Sequence, residues 1–171
     1  MELHRGSDGR AGRVLVVADW ATDPEAVVAA CRVRHERAGG DFALLVPAWL
    51  HGLDWAGDPA ASVPCAQRQL TTIGRLADAA GITFQSADVG DADPVAAICD
   101  ALNDWPAGEV VLFTRSRRVA ISHPLDLAHR TRRAAGLPVS HLRLGSTARP
   151  PGETCLRRRA GHCALEQPHP A

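Results

Sequence analysis

Three short runs of uninterrupted apolar residues constrain the fold of this chain more than any other sequence feature. The runs cover residues 14–18, 42–46 and 110–113. A strand that is apolar at every position has to be buried on both faces, as in a parallel sheet with helices on both sides. Two weaker segments, residues 82–89 and 137–142, bring the number of predicted strands to five.

Helix signals lie between the predicted strands. Asp23-Pro24 and Asp93-Pro94 each place an N-cap carboxylate before a first-turn proline. Four helices are predicted. The first begins at residue 24 and the third at residue 94, while the second covers about residues 64–80 and the fourth about residues 125–135. Three of them end at a glycine, namely Gly39, Gly81 and Gly136. Strands that alternate with helices predict an α/β fold with one parallel sheet and right-handed crossovers.

The composition fits one globular domain and argues against two classes of partner. The chain has 171 residues, and its 19 basic residues balance its 19 acidic ones. A chain without net charge has no overall field that would draw it onto nucleic acid or an anionic membrane. Every basic residue is Arg, a bias typical of a GC-rich, actinobacterial genome.

The two ends of the chain differ from its middle. Residues 1–12 are polar and lack the apolar core of a signal peptide, and residues 145–171 show little periodicity. We expect a disordered leader at 1–12, a folded domain at 13–144 and a disordered tail at 145–171. No run approaches the roughly 18 apolar residues of a membrane span, so we expect a cytoplasmic protein.

No set of residues in the sequence predicts catalysis or metal binding. The chain has no Gly-x-Ser-x-Gly elbow and no Cys-x-x-Cys pair. His123, Asp126 and His129 could supply metal ligands, but their spacing places the two histidines far apart around a helix. The five cysteines are expected to be reduced, and those within the predicted helices to be buried.

Five segments, taken in order, resemble the universal stress protein family. They are residues 14–19, Leu44-Leu45-Val46, residues 90–94 (Gly-Asp-Ala-Asp-Pro), residues 109–113 and residues 136–139 (Gly-Leu-Pro-Val). The resemblance covers residues 13–144. It implies the adenine nucleotide alpha hydrolase-like fold, with a five-stranded parallel sheet in the order 3-2-1-4-5. It also implies a homodimer made through the final strand.

The segment after the fourth strand departs from the family pattern. ATP-binding members carry a glycine-rich phosphate loop there, whereas residues 114–126 contain no glycine. Pro124 also lacks the N–H group that a phosphate cradle needs. Two hypotheses remain: guanidinium groups hold a small anion in place of backbone donors, or the arginines belong to a solvated loop. The residues concerned are Thr114, Arg115, Ser116, Arg117, Arg118 and Ser122.

Three residues at the ends of the first two strands complete the candidate site. In sheets of this kind, ligands bind at the carboxyl ends of strands, where the strand order reverses. Asp19 either faces a ligand or caps the following helix, and Trp20 either stacks on a base or fills an empty pocket. Val46 offers backbone groups to an adenine edge, a role compatible with core packing.

These features predict a non-enzymatic regulatory protein of stress-protein type. It would be dimeric, with a degenerate nucleotide site that is empty or holds a small anion, and without a cofactor. The alternative is a stress protein that binds ATP or AMP and hydrolyses ATP slowly at most.

Overall fold

The structure is a computed structural model that describes residues 10, 12–49, 62–115 and 124–144, with side chains from residue 127 in the last range. Strands and helices alternate along the described chain. They are β1 (Arg13–Ala18), α1 (Pro24–Ala38), β2 (Asp41–Pro47), α2 (Val63–Ala79), β3 (Phe84–Gly90), α3 (Pro94–Asp104), β4 (Glu109–Arg115), α4 (Pro124–Ala135) and β5 (Val139–Leu144).

The strands form one parallel sheet in the order β3-β2-β1-β4-β5, which confirms the predicted fold class and strand order. Helices α1 and α2 pack together on one face, and α3 and α4 pack together on the other. We call these the α1–α2 face and the α3–α4 face. The predicted leader at 1–12 and tail at 145–171 lie outside the described residues, apart from positions 10 and 12.

Strand β1 occupies the centre of the sheet and supplies both cores. Val14 and Val16 pack on the α1–α2 face, and Leu15 and Val17 pack on the α3–α4 face. All of these side chains are at most 4% exposed. This burial on both faces is the reason for the uninterrupted apolar run in the sequence.

The predicted helix signals are confirmed. Asp23 Oδ1 accepts a hydrogen bond from the Glu25 backbone N–H at 3.0 Å and caps α1. Asp93 Oδ1 accepts one from the Val95 N–H at 2.9 Å and caps α3. Gly39 follows α1 with a φ of 63°, a conformation that favours glycine.

Two strands begin later than the sequence predicts. Ile82 is buried but lies before β3, because its N–H donates to Ala77 O at 2.9 Å and closes the end of α2. Leu137 and Pro138 precede β5. Pro138 has no N–H to donate to a ladder, although its carbonyl accepts from Val110 N at 3.0 Å.

The three described cysteines are free thiols within helices. Cys31 and Cys65 are buried, as predicted, whereas Cys99 is half-buried. Burial raises the pKa of the Cys31 thiol to about 12, so this side chain stays protonated and unreactive. Cys155 and Cys163 lie outside the described residues. None of the described helices is long and apolar enough to cross a membrane.

Gly90, the last residue of β3, provides a test of the packing between sheet and helix. A Cβ atom at this position would lie 2.6 Å from Ala97 Cβ and 3.0 Å from Leu45 Cδ1. Gly90→Ala is therefore expected to lower the free energy of unfolding by about 1–3 kcal/mol, measured by urea denaturation.

Gly74→Ala is the matched control. Nothing lies within 4 Å of a Cβ at this position inside α2, so alanine is expected to stabilise by about 0.5–1 kcal/mol. Equal effects of the two substitutions would contradict the close approach of α3 to the sheet.

Candidate ligand crevice at the carboxyl ends of the strands

The carboxyl ends of β1, β2 and β4 lie side by side, so part of the predicted site is brought together. Val17 pairs with Leu45 on one side and with Leu112 on the other. The Asp19 N–H donates to Phe113 O at 2.9 Å, which places Asp19 beside the end of β4. Ser116, Arg117, Arg118, Ser122 and His123 lie outside the described residues.

Asp19 shapes the turn that follows β1. Its Oδ1 accepts a hydrogen bond from the Ala21 N–H at 3.0 Å, and its carbonyl accepts from Thr22 N at 2.9 Å and from Thr22 Oγ1 at 2.6 Å. The side chain is only 5% exposed. The cap of α1 is Asp23, so the interpretation of Asp19 as a helix cap is wrong.

Trp20 connects the segments that follow β1 and β2. Its indole Nε1–H donates to Trp49 O at 2.6 Å. The side chain belongs to the core of the α1–α2 face, together with Val46 and Ala48, and is 8% exposed. In this position the indole packs as a core side chain. Its hydrogen bond links the segment after β1 to the segment after β2.

Val46 is fully buried, as core packing requires. The ladder between β1 and β2 ends at the pair of Val17 and Leu45, one residue before Val46. On its other side Val46 pairs with Val89 of β3.

Two polar residues that sequence reasoning missed hydrogen-bond to the crevice loops, one within α2 and one at the position just before it. Gln69 Nε2 donates to Thr22 O at 2.8 Å, and Ser62 Oγ donates to Ala48 O at 2.6 Å. Both side chains are buried. A signal for Gln69 was present in the sequence, because this residue stands four positions before Ile73 on the apolar side of the helix.

The Thr114 side chain contacts β5, the edge strand of the sheet. Its Oγ1 lies 2.8 Å from Nε2 of His141 on β5, and the threonine is 5% exposed. Burial, with a smaller contribution from the Arg143 charge, lowers the pKa of His141 below its usual value. His141 was not among the predicted site residues, because only the strand register places it near Thr114.

Arg115 ends β4 and pairs with Leu144 of β5. Because side chains alternate along a strand, Arg115 lies on the α1–α2 face whereas Thr114 lies on the other face. The side chains of the two predicted ligand residues at the end of β4 therefore lie on different faces of the sheet. Within the described part of the chain, no three His, Cys, Asp or Glu side chains are grouped to hold a metal ion.

Comparison with solved structures identifies the fold. The chain is similar to a protein of the universal stress protein family from Burkholderia pseudomallei (15% identity, TM-score 0.55, 77% of this chain and 95% of that chain). It is also similar to a universal stress protein from Archaeoglobus fulgidus (17% identity, TM-score 0.53, 77% and 93%). A third similar structure is a universal stress protein in complex with cAMP (15% identity, TM-score 0.50, 78% and 98%).

No protein-family model and no curated protein match the sequence. The structural similarity shows that the chain has the fold of the universal stress proteins. At 15–17% identity the likeness shows the fold alone.

The environment of His141 predicts a measurable titration. Its pKa, followed by NMR, should lie below the usual 6.5 because burial disfavours the imidazolium. In Arg143→Gln the pKa should rise part of the way toward that value, since burial is the larger cause.

The same shift makes stability depend on pH. The pKa of His141 is lower in the folded than in the unfolded protein. Its contribution to the free energy of unfolding is therefore fully present above the unfolded pKa and is lost as the pH falls through the folded pKa. Arg133→Gln, on the neighbouring helix, is the control and should leave the His141 titration unchanged. A His141 pKa at or above 6.5 in the unmodified protein would contradict this description of its surroundings.

Proposed function

We propose that this chain, which has the universal stress protein fold, is a non-enzymatic regulatory module of the stress-protein type. Its nucleotide crevice is degenerate and is either empty or holds a small anion. It works in the cytoplasm as a homodimer. The observation that carries the proposal is the packing of Trp20 at the carboxyl end of β1.

Trp20 stands where a base would have to enter. The strand order reverses between β1 and β4, and ligands of such sheets bind outside that point. The indole is almost fully buried in the same core cluster as Val46, and its N–H group is already bonded to Trp49 O. In this proposal a base that entered here would have to displace the indole and break that hydrogen bond.

The segment after β4 does not fit a triphosphate either. A phosphate cradle needs closely spaced backbone N–H groups, which glycine makes accessible. Residues 114–126 include no glycine, and α4 begins at Pro124, which has no N–H. In this proposal the guanidinium groups of Arg115, Arg117 and Arg118 are the main donors, and they suit a small anion.

The described residues support a binding role rather than catalysis. Thr114 and His141 form a hydroxyl–imidazole pair, but among the described residues no carboxylate is bonded to that imidazole to orient it. Thr114 is buried, and the lowered pKa makes His141 a weaker base. A serine-type nucleophile needs an orienter and access to the substrate, which this pair lacks.

The outer edge of β5 supports dimer formation. Strand β5 pairs with β4 alone in the described sheet, which leaves one row of its backbone groups for another strand. Because side chains alternate along a strand, the α1–α2 face of β5 carries Ser140, Leu142 and Leu144. Leu142 is 37% exposed, one of three large apolar side chains among the described residues with such exposure.

The alternative function is adenine-nucleotide binding with at most slow ATP hydrolysis. One similar structure is a universal stress protein in complex with cAMP, which favours this alternative. Asp19 would be the residue to meet the ribose or the base, because it lies between the ends of β1 and β4.

Calorimetry with ATP, AMP and cAMP separates the two functions. We expect no saturable heat that Asp19→Asn reduces. A ligand of the crevice at about 100 times its Kd would also stabilise the fold by about 2.7 kcal/mol, and we expect no thermal shift that Asp19→Asn removes. Saturable binding that Asp19→Asn weakens would establish the alternative. Asp19→Asn can keep the Oδ1 acceptor for the Ala21 N–H while it removes the negative charge.

The dimer is tested by substituting exposed apolar residues. Leu142→Asp should turn a dimer into a monomer in size-exclusion chromatography with light scattering, because a charge would be buried against the partner. Val63→Asp is the matched control, since Val63 is 41% exposed at the start of α2, which packs on β2 and β3 at the other end of the sheet from β5. A monomer in the unmodified protein, or equal effects of both substitutions, would contradict the dimer through β5.

A further inference from the structure

A groove of about 700 Å³ runs between α4 and β5, on the α3–α4 face of the sheet. It is lined by Ala128, His129, Arg132, His141 and Arg143. We propose that this groove binds a small molecule that carries phosphate. The site is separate from the crevice at the end of β1, and nothing in the proposed function requires it.

The lining side chains come together because of helix and strand periodicity. His129 and Arg132 are three residues apart on α4 and therefore neighbours on its surface. His141 and Arg143 are two residues apart on β5 and share the face of the buried Val139. Two adjacent elements thus each contribute one imidazole and one guanidinium to the same groove.

Among the described residues, no carboxylate pairs with the two guanidinium groups of the groove. The ion pairs among the described residues join Arg32 to Glu36, Arg34 to Glu109 and Arg130 to Asp93. Arg132 and Arg143 take part in none of these pairs, and the lining includes neither Asp nor Glu. An anion in the groove would supply the counter-charge for two guanidinium groups.

Two hydrogen bonds hold the groove in shape. Arg132 donates from Nη2 to Val139 O at 2.9 Å, which fixes the guanidinium against β5 and leaves its other N–H groups for a ligand. The His141 ring is held by a hydrogen bond between its Nε2 and Thr114 Oγ1, at 2.8 Å. Ala128, with its small side chain, also lines the groove.

Phosphate is the ligand chemistry that these groups match. Guanidinium forks bind phosphate oxygens in pairs, and a phosphate offers more acceptor oxygens and charge than a single carboxylate. Imidazole N–H groups can supply further donors. The volume lies in the range of small-molecule sites, about 300–1,000 Å³.

The test is calorimetry of the full chain with inorganic pyrophosphate at neutral pH and low salt. We expect saturable binding to the unmodified protein. Arg132→Gln and Arg143→Gln should each weaken it by about tenfold or more, since each removes charge-assisted hydrogen bonds. In NMR spectra, pyrophosphate should shift the ring signals of His129 and His141, and leave those of His35 on α1 unchanged.

Arg133→Gln is the matched control, because Arg133 is an exposed neighbour on the same helix turn that does not line the groove. It should change the affinity by less than about twofold. Circular dichroism confirms that each variant is folded. Three results would overturn the assignment: no saturable binding to the unmodified protein, equal losses in Arg133→Gln and Arg132→Gln, or binding abolished by Arg115→Gln alone, which would place the anion at the end of β4.

Discussion

The burial of β1 on both faces is the constraint on which the rest of this structure depends. The strand lies between β2 and β4 and supplies side chains to both cores. From β1 the sheet extends through β2 and β3 on one side and through β4 and β5 on the other. The connecting helices therefore cover both faces of the sheet. This change of direction opens a crevice at the carboxyl end of β1, where a ligand site would form.

In this chain the crevice loops are held by their own side chains and by one side chain of α2. Asp19 and Gln69 stabilise the turn after β1, and the Trp20 indole bonds to the segment after β2. Buried polar groups of this kind stabilise only when their partners stay in place. On the α3–α4 face, the α4–β5 groove presents the guanidinium groups of Arg132 and Arg143 to a ligand.

Local signals in the sequence determine most of the fold, and long-range register determines the rest. The apolar runs predicted the central strands, and Asp23 and Asp93 predicted helix starts that their side-chain bonds confirm. The late start of β5 follows from Pro138. The contact of Thr114 with His141 spans 27 positions and depends on how β4 pairs with β5. Sequence spacing alone does not reveal such a pair, nor the acceptor that Trp20 finds in Trp49.

The most direct test of the proposal that the crevice is degenerate is a crystal structure of the full chain grown with ATP and magnesium. The account predicts that the Trp20 indole remains bonded to Trp49 O and that no triphosphate is ordered on the backbone nitrogens of residues 114–125. An ordered ATP seated on those nitrogens, with the indole displaced, would contradict it.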